Sequence, residues 1–191
     1  MKGPLFYSKI LLFGEYGIIE DSKGLSIPYN FFNGALKIAE KPNLGSKKSN
    51  NILADFCLYL KQFDELDLDL ISFEKHINKG LYFDSSIPKG YGVGSSGALV
   101  AAIYDKYSNN KITVLENLTR EKLLVLKSIF SKMESFFHGK SSGLDPLNSY
   151  LSIPILIKSK DDINVTGIPS QKLDGTGAVF LIDSGKTGST A

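Results

Sequence analysis

Over the first forty residues, apolar positions fall in short segments (5–13, 17–20, 25–27 and 31–38) separated by Gly, Asn and Pro. That rhythm predicts strands joined by turns. Residues 41–51 collect Lys, Pro, Asn, Gly and Ser and read as a loop, with Asn50 or Asn51 placed to cap a helix. Ile52, Phe56, Tyr59, Leu60 and Phe63 then recur at helical spacing. Between 68 and 87 the pattern predicts short strands again, with Asn78, Lys79 and Gly80 as a hairpin turn.

Residues 95–107 are apolar on nearly every side, the mark of a buried helix, and Asn109 and Asn110 end it. A longer amphipathic helix is expected from about 114 to 137, with Leu118, Leu123, Leu126, Ile129, Phe130 and Met133 on its inner face. The block 138–145 breaks it. Pro146 suits the first turn of a short helix that starts at Leu144 or Asp145 and runs to Leu151. Strands are expected at 152–158 and 178–183, around a polar excursion at 161–175. This order predicts an α+β fold, a mixed sheet with helices packed on one side.

Composition narrows the function. The chain has 191 residues, 42% of them hydrophobic, enough for one large domain or a domain plus an extension. Its 22 basic and 20 acidic residues give a formal charge of +2, no electrostatic ground for a nucleic acid or membrane partner. Cys57 is the sole cysteine and sits between Phe56 and Leu58, which points to a buried thiol in a reducing compartment. With no apolar run of membrane-spanning length and no secretory pattern at the N-terminus, a cytoplasmic protein is expected.

The segment with the most chemistry is Pro88-Lys89-Gly90-Tyr91-Gly92-Val93-Gly94-Ser95-Ser96-Gly97, a glycine-rich loop running into a helix. Glycines at 90, 92 and 94 permit positive φ, Ser95 or Ser96 can cap the helix, and the free N–H groups of the helix start favour a bound phosphate. The spacing is neither a Walker A loop nor a dinucleotide fingerprint. A plain structural turn is the competing reading.

Two further patches shift that balance: Lys9-Ile10-Leu11-Leu12-Phe13-Gly14-Glu15-Tyr16, and the run from Glu134 through His138, Gly139, Ser142 and Gly143 to Asp145. With the glycine loop these resemble, in order, the three motifs of the GHMP kinase family, and the 134–145 run is most similar to its mevalonate kinase branch. The resemblance implies a GHMP-type kinase that transfers the γ-phosphoryl of ATP to an alcohol, mevalonate or a related hydroxy acid. It places ATP on residues 88–97, Mg²⁺ on Ser96 and Glu134, and the alcohol near Glu15, Tyr16, His138, Ser142 and Gly143. It makes Asp145 the acceptor of the hydroxyl proton and Lys9 the cation that pairs with it and steadies the alkoxide. Hard oxygen ligands suit Mg²⁺, and phosphoryl transfer rests on positioning and charge neutralisation.

Each residue also has an ordinary role open to it. Ser96 can be a helix cap, Glu134 a solvated helix residue and Asp145 a cap before Pro146, whereas His138 has no partners for a zinc site. Tyr16 stands where the family's mevalonate and galactose kinases usually carry histidine, and Lys140-Ser141 replaces a more usual Thr-Pro, an added cation that would favour an acidic substrate. The resemblance further implies a nucleotide-binding domain over 1–185, with 186–191 opening a linker to a C-terminal domain absent here. The chain alone is then expected to be impaired. The partner expected is a small-molecule alcohol, and a homodimer is compatible with the reading. A non-catalytic metabolite sensor on the same fold is the alternative, as is a GHMP kinase for another alcohol.

Overall fold

The computed structural model describes residues 3–14, 23–113, 118–159, 162–167, 182 and 185–186. Strands β1 (Phe6–Phe13), β2 (Gly24–Ile38), β3 (Leu81–Ser85), β4 (Ile155–Ser159) and β5 (Asp162–Val165) form one sheet in the order β1-β2-β4-β5, with β3 also paired to β2. The α+β expectation stands. The expected mixed sheet does not: every ladder among the described residues is antiparallel. The long β2 organises the sheet, because it pairs with β1 through residues 25–34, with β4 through 24–26 and with β3 through 34–38.

Among the described residues, five α-helices complete the layer: α1 (Leu44–Leu60), α2 (Leu70–Asn78), α3 (Ser95–Tyr107), α4 (Arg120–His138) and α5 (Leu144–Leu151). None of them is long and apolar enough to cross a membrane. Helix α1 starts well before the expected cap, inside the segment read as a loop. Asn43 and Ser46 form a reciprocal capping box, with Ser46 N–H donating to Asn43 Oδ1 at 2.8 Å and Asn43 N–H donating to Ser46 Oγ at 2.9 Å. The first turns of α1 are polar, so apolar periodicity could not reveal them.

The strand expected before residue 78 is instead helix α2. Asp69 Oδ1 accepts from Ser72 N–H at 3.0 Å and caps it, while Phe73 and Ile77, one turn apart, fill its buried stripe. Only 81–85 is extended, so residues 78–80 join helix to strand. Helix α4 begins at the Thr119 cap rather than near 114, and residues 114–117 lie outside the described ones. Strand β4 is followed by its antiparallel partner β5 within the expected polar excursion, and of the strand placed at 178–183 only residue 182 is described.

Helix α3 is the central post. Gly97 through Tyr104 are all buried, and its alanines 98, 101 and 102 pack with Phe6 of β1 and with Ile87. Its other faces meet a core drawn from every helix, including Phe56, Phe73, Phe130, Met133 and Leu147, with Ile155 and Ile163 from the sheet. Small residues let α3 approach strand and helices closely, so both ends of it are fixed in position. Helix α5 is held from below by Asn148, whose Nδ2 donates to Ser26 O and Ile153 O, both at 3.2 Å.

Candidate active site

The glycine loop adopts the backbone expected of it. Gly90, Gly92 and Gly94 have φ of 80°, 68° and 82°, a region that side-chain-bearing residues rarely enter. Lys89, Gly90, Tyr91 and Gly92 are exposed, so the turn faces solvent and is not packed shut. The helix cap differs from expectation. Gly94 is the N-cap of α3 and no side chain caps the first turn, which leaves Ser96 Oγ free for other partners. An uncapped helix start behind a turn of left-handed glycines fits a bound anion such as a phosphate.

Strand β1 ties that loop to the rest of the site. The backbone N–H of Lys9 donates to Val93 O at 3.0 Å, and a Cβ on Gly94 would come within 3.0 Å of Lys9 Cγ. The Lys9 side chain is buried and its Nζ lies 3.0 Å from Asp145 Oδ1 in the first turn of α5. A buried ammonium needs such a carboxylate. Asp145 is therefore not the cap of α5, a place taken by Gly143 at φ 75°.

The second half of the cluster centres on Glu134, in the last turns of α4. It is 3% exposed, although glutamate at a helix C-terminus is ordinarily solvated. Ser96 Oγ donates to Glu134 Oε1 at 3.1 Å and lies 2.9 Å from His138 Nε2. Ser141 Oγ donates to Glu134 Oε2. Burial first, and then the negative charge of Asp145, push the Glu134 carboxyl from the ordinary 4.5 up to about 7, against the opposing pull of the two hydroxyls and of Lys9. The set is hard oxygen chemistry, a carboxylate and hydroxyls with more negative than positive charge at hand, and so it fits a divalent cation.

Lys9 meets Asp145, and Ser96 meets Glu134 and His138, in two contact groups close enough that the charges of Asp145 and Lys9 act on Glu134. Ser142 is exposed at the edge, its Oγ accepting from Leu144 N–H at 3.4 Å. Gly143, expected at the alcohol, is buried against α4: a Cβ there would fall 2.2 Å from Lys127 O and 2.6 Å from Ser131 N. Its place is to let α5 close onto α4. Glu15 and Tyr16 lie outside the described residues. Sequence reasoning missed the parts played by Ser141 and Asn148. The only signal for Ser141 was a second serine beside Ser142; for Asn148 it was a polar residue on the inner face of a short apolar helix.

A glycine-rich loop at an uncapped helix start, a lysine–aspartate pair and a buried oxygen cluster sit together on one α+β scaffold, an arrangement suited to a phosphate group. The sequence itself matches the family described as GHMP kinases N terminal domain over residues 54–152, and the chain belongs to that family. No curated protein matches it. Among solved structures the fold is similar to a mevalonate kinase at 16% identity and TM-score 0.50, covering 85% of this chain and 55% of that one. It is equally similar to the Methanococcus jannaschii mevalonate kinase, at 15% identity and TM-score 0.50, covering 90% of this chain and 57% of that one. The chain spans little more than half the length of these structures.

Proposed function

We propose that this chain is the nucleotide-binding part of an ATP- and Mg²⁺-dependent kinase that phosphorylates the hydroxyl of a small hydroxy acid, with mevalonate as the first candidate. The observation that carries this reading is the contact of Lys9 with Asp145 at 3.0 Å beside the Ser96–Glu134 pair, both at the start of the helix that the glycine loop feeds. In this reading the N–H groups of residues 90–97 bind the phosphates. Ser96 Oγ and Glu134 hold Mg²⁺, which when bound neutralises phosphate charge.

Asp145 accepts the proton of the substrate hydroxyl as its oxygen bonds to the γ-phosphorus and the bond to the β-phosphate oxygen breaks, giving the phosphate ester, ADP and a proton. Lys9 orients Asp145 and steadies the developing alkoxide. The resemblance to mevalonate kinases is what favours a hydroxy acid, and the exposed Lys140 next to Ser141 supports an acidic substrate.

The test is phosphate transfer from ATP to a panel of alcohols that includes mevalonate, run on the full-length protein and on its Asp145→Asn variant. Transfer that is abolished by the substitution while ADP binding persists supports the reading. Binding of nucleotide with no transfer to any alcohol favours a sensor instead.

A further inference from the structure

Glu134 has two carboxylate oxygens, and the proposed contact with the metal uses one of them. The other is held by Ser141, a residue to which the motifs give no task. Two contacts fix the Ser141 hydroxyl. Its Oγ accepts the N–H of Gly143 at 3.0 Å, and with that lone pair occupied its single proton is aimed at Glu134 Oε2. The backbone of Ser141 is anchored in turn, because Ser131 Oγ donates to Ser141 O. Gly143 is pressed against the α4 backbone at Lys127 and Ser131, so the donor that orients Ser141 is itself immobile. The loop between α4 and α5 is thus folded back onto α4 and presents one hydroxyl to one carboxylate oxygen.

We infer that Ser141 is a positioning residue for the divalent cation: it holds Glu134 Oε2 so that Oε1, on the side of Ser96, faces the metal. This deepens the kinase reading and rests on it. The geometry gives each oxygen a separate partner. Oε1 meets the hydroxyl of Ser96 at the start of α3, on the phosphate side, while Oε2 meets the hydroxyl of Ser141 on the α5 side. A carboxylate at the end of a helix, with no second hydrogen bond, would be free to rotate and turn either edge to the cation. Groups that orient a metal ligand in this manner set metal affinity without touching the metal.

The experiment is a calorimetric titration of Mn²⁺ into the protein at saturating ADP, for wild type, Ser141→Ala and Ser141→Thr. The melting temperature of each is measured without metal. Expected are Mn²⁺ uptake by wild type, an Mn²⁺ Kd raised about tenfold in Ser141→Ala, and a Kd returned toward wild type in Ser141→Thr, which keeps the hydroxyl. An unchanged Kd in Ser141→Ala, or a loss that Ser141→Thr does not restore, overturns the assignment and leaves the kinase reading in place. A wild-type protein that takes up no Mn²⁺ with ADP overturns both.

Discussion

Gly97 of α3 and Asp145 of α5 touch backbone to backbone: a methyl group on Gly97 would come within 2.7 Å of the aspartate carbonyl carbon, 2.8 Å of Pro146 N and 2.9 Å of Asp145 Cβ. These are distances at which atoms must move. Because neither backbone can yield like a flexible side chain, Gly97→Ala pushes α5 away and carries Asp145 off Lys9. The expected loss of stability is about 1–3 kcal/mol, from overpacking, read by urea denaturation. Transfer activity is expected to fall further than stability alone explains. A variant with wild-type midpoint and turnover would show that the two helices have slack between them.

Metal-free stability should depend on pH in an unusual direction. A folded-state carboxyl raised from 4.5 to about 7 keeps its proton where the unfolded chain has lost it. Stability from Glu134 is therefore greatest below about pH 4.5, falls as pH rises toward 7 and is level above that. Melting temperatures measured with a chelator from about pH 5 to 8 should show this fall, and Glu134→Gln should flatten it. Added Mg²⁺ should restore stability at the alkaline end, since the cation binds the ionised form. A slope of the same size in Glu134→Gln would assign the effect to other groups.

Lys9 supplies the positive charge that Asp145 touches. Its replacement by methionine keeps the buried stem and removes the ammonium, so the effect should fall on turnover. In steady-state kinetics Lys9→Met is expected to lower kcat by about 10²–10³-fold, the range for loss of one preorganised electrostatic contact, while the Kd for ADP stays within a few-fold of wild type. Equal losses in kcat and ADP affinity would instead mean that the loop had lost its anchor.

Gly94 joins the loop to α3 with φ at 82° and leaves little room for a Cβ beside Lys9. A nucleotide that binds only the folded state raises its stability, by about 2.7 kcal/mol at a hundredfold excess over Kd. Wild type should show that rise in thermal melts with Mg²⁺ and ADP. Gly94→Ala should lose most of it, because alanine is strained at this φ and its methyl group crowds Lys9 Cγ at 3.0 Å. An undiminished rise would move the anion seat away from this end of the loop.

Much of this site is legible in the chain itself. The glycine loop, α3 and α5 declare themselves locally: three glycines mark positive φ, an all-apolar run marks a buried post, and Pro146 marks a first turn. Lys9 stands out because a cation inside an apolar strand needs a partner. The misreadings share a cause. The start of α1 depends on hydrogen bonds between Asn43 and Ser46, α2 on a single aspartate cap, and the antiparallel ladders on which strands meet in space, none of which leaves an apolar rhythm. Ser141 and Gly143 follow the same logic, since their roles come from a loop folding back onto α4 and become visible only when that helix is in place.

Strand β1 does two jobs with one residue: the main chain of Lys9 grips Val93 while its side chain grips Asp145. In the proposed kinase the phosphate-binding turn and the aim of the catalytic base are thereby geared together. A tug on the turn at 92–94 reaches the aspartate through a few covalent bonds and two short polar links, with no moving helix in between. Loading one end of this lever must be felt at the other, so the aspartate of the loaded protein should sit differently from that of the empty one.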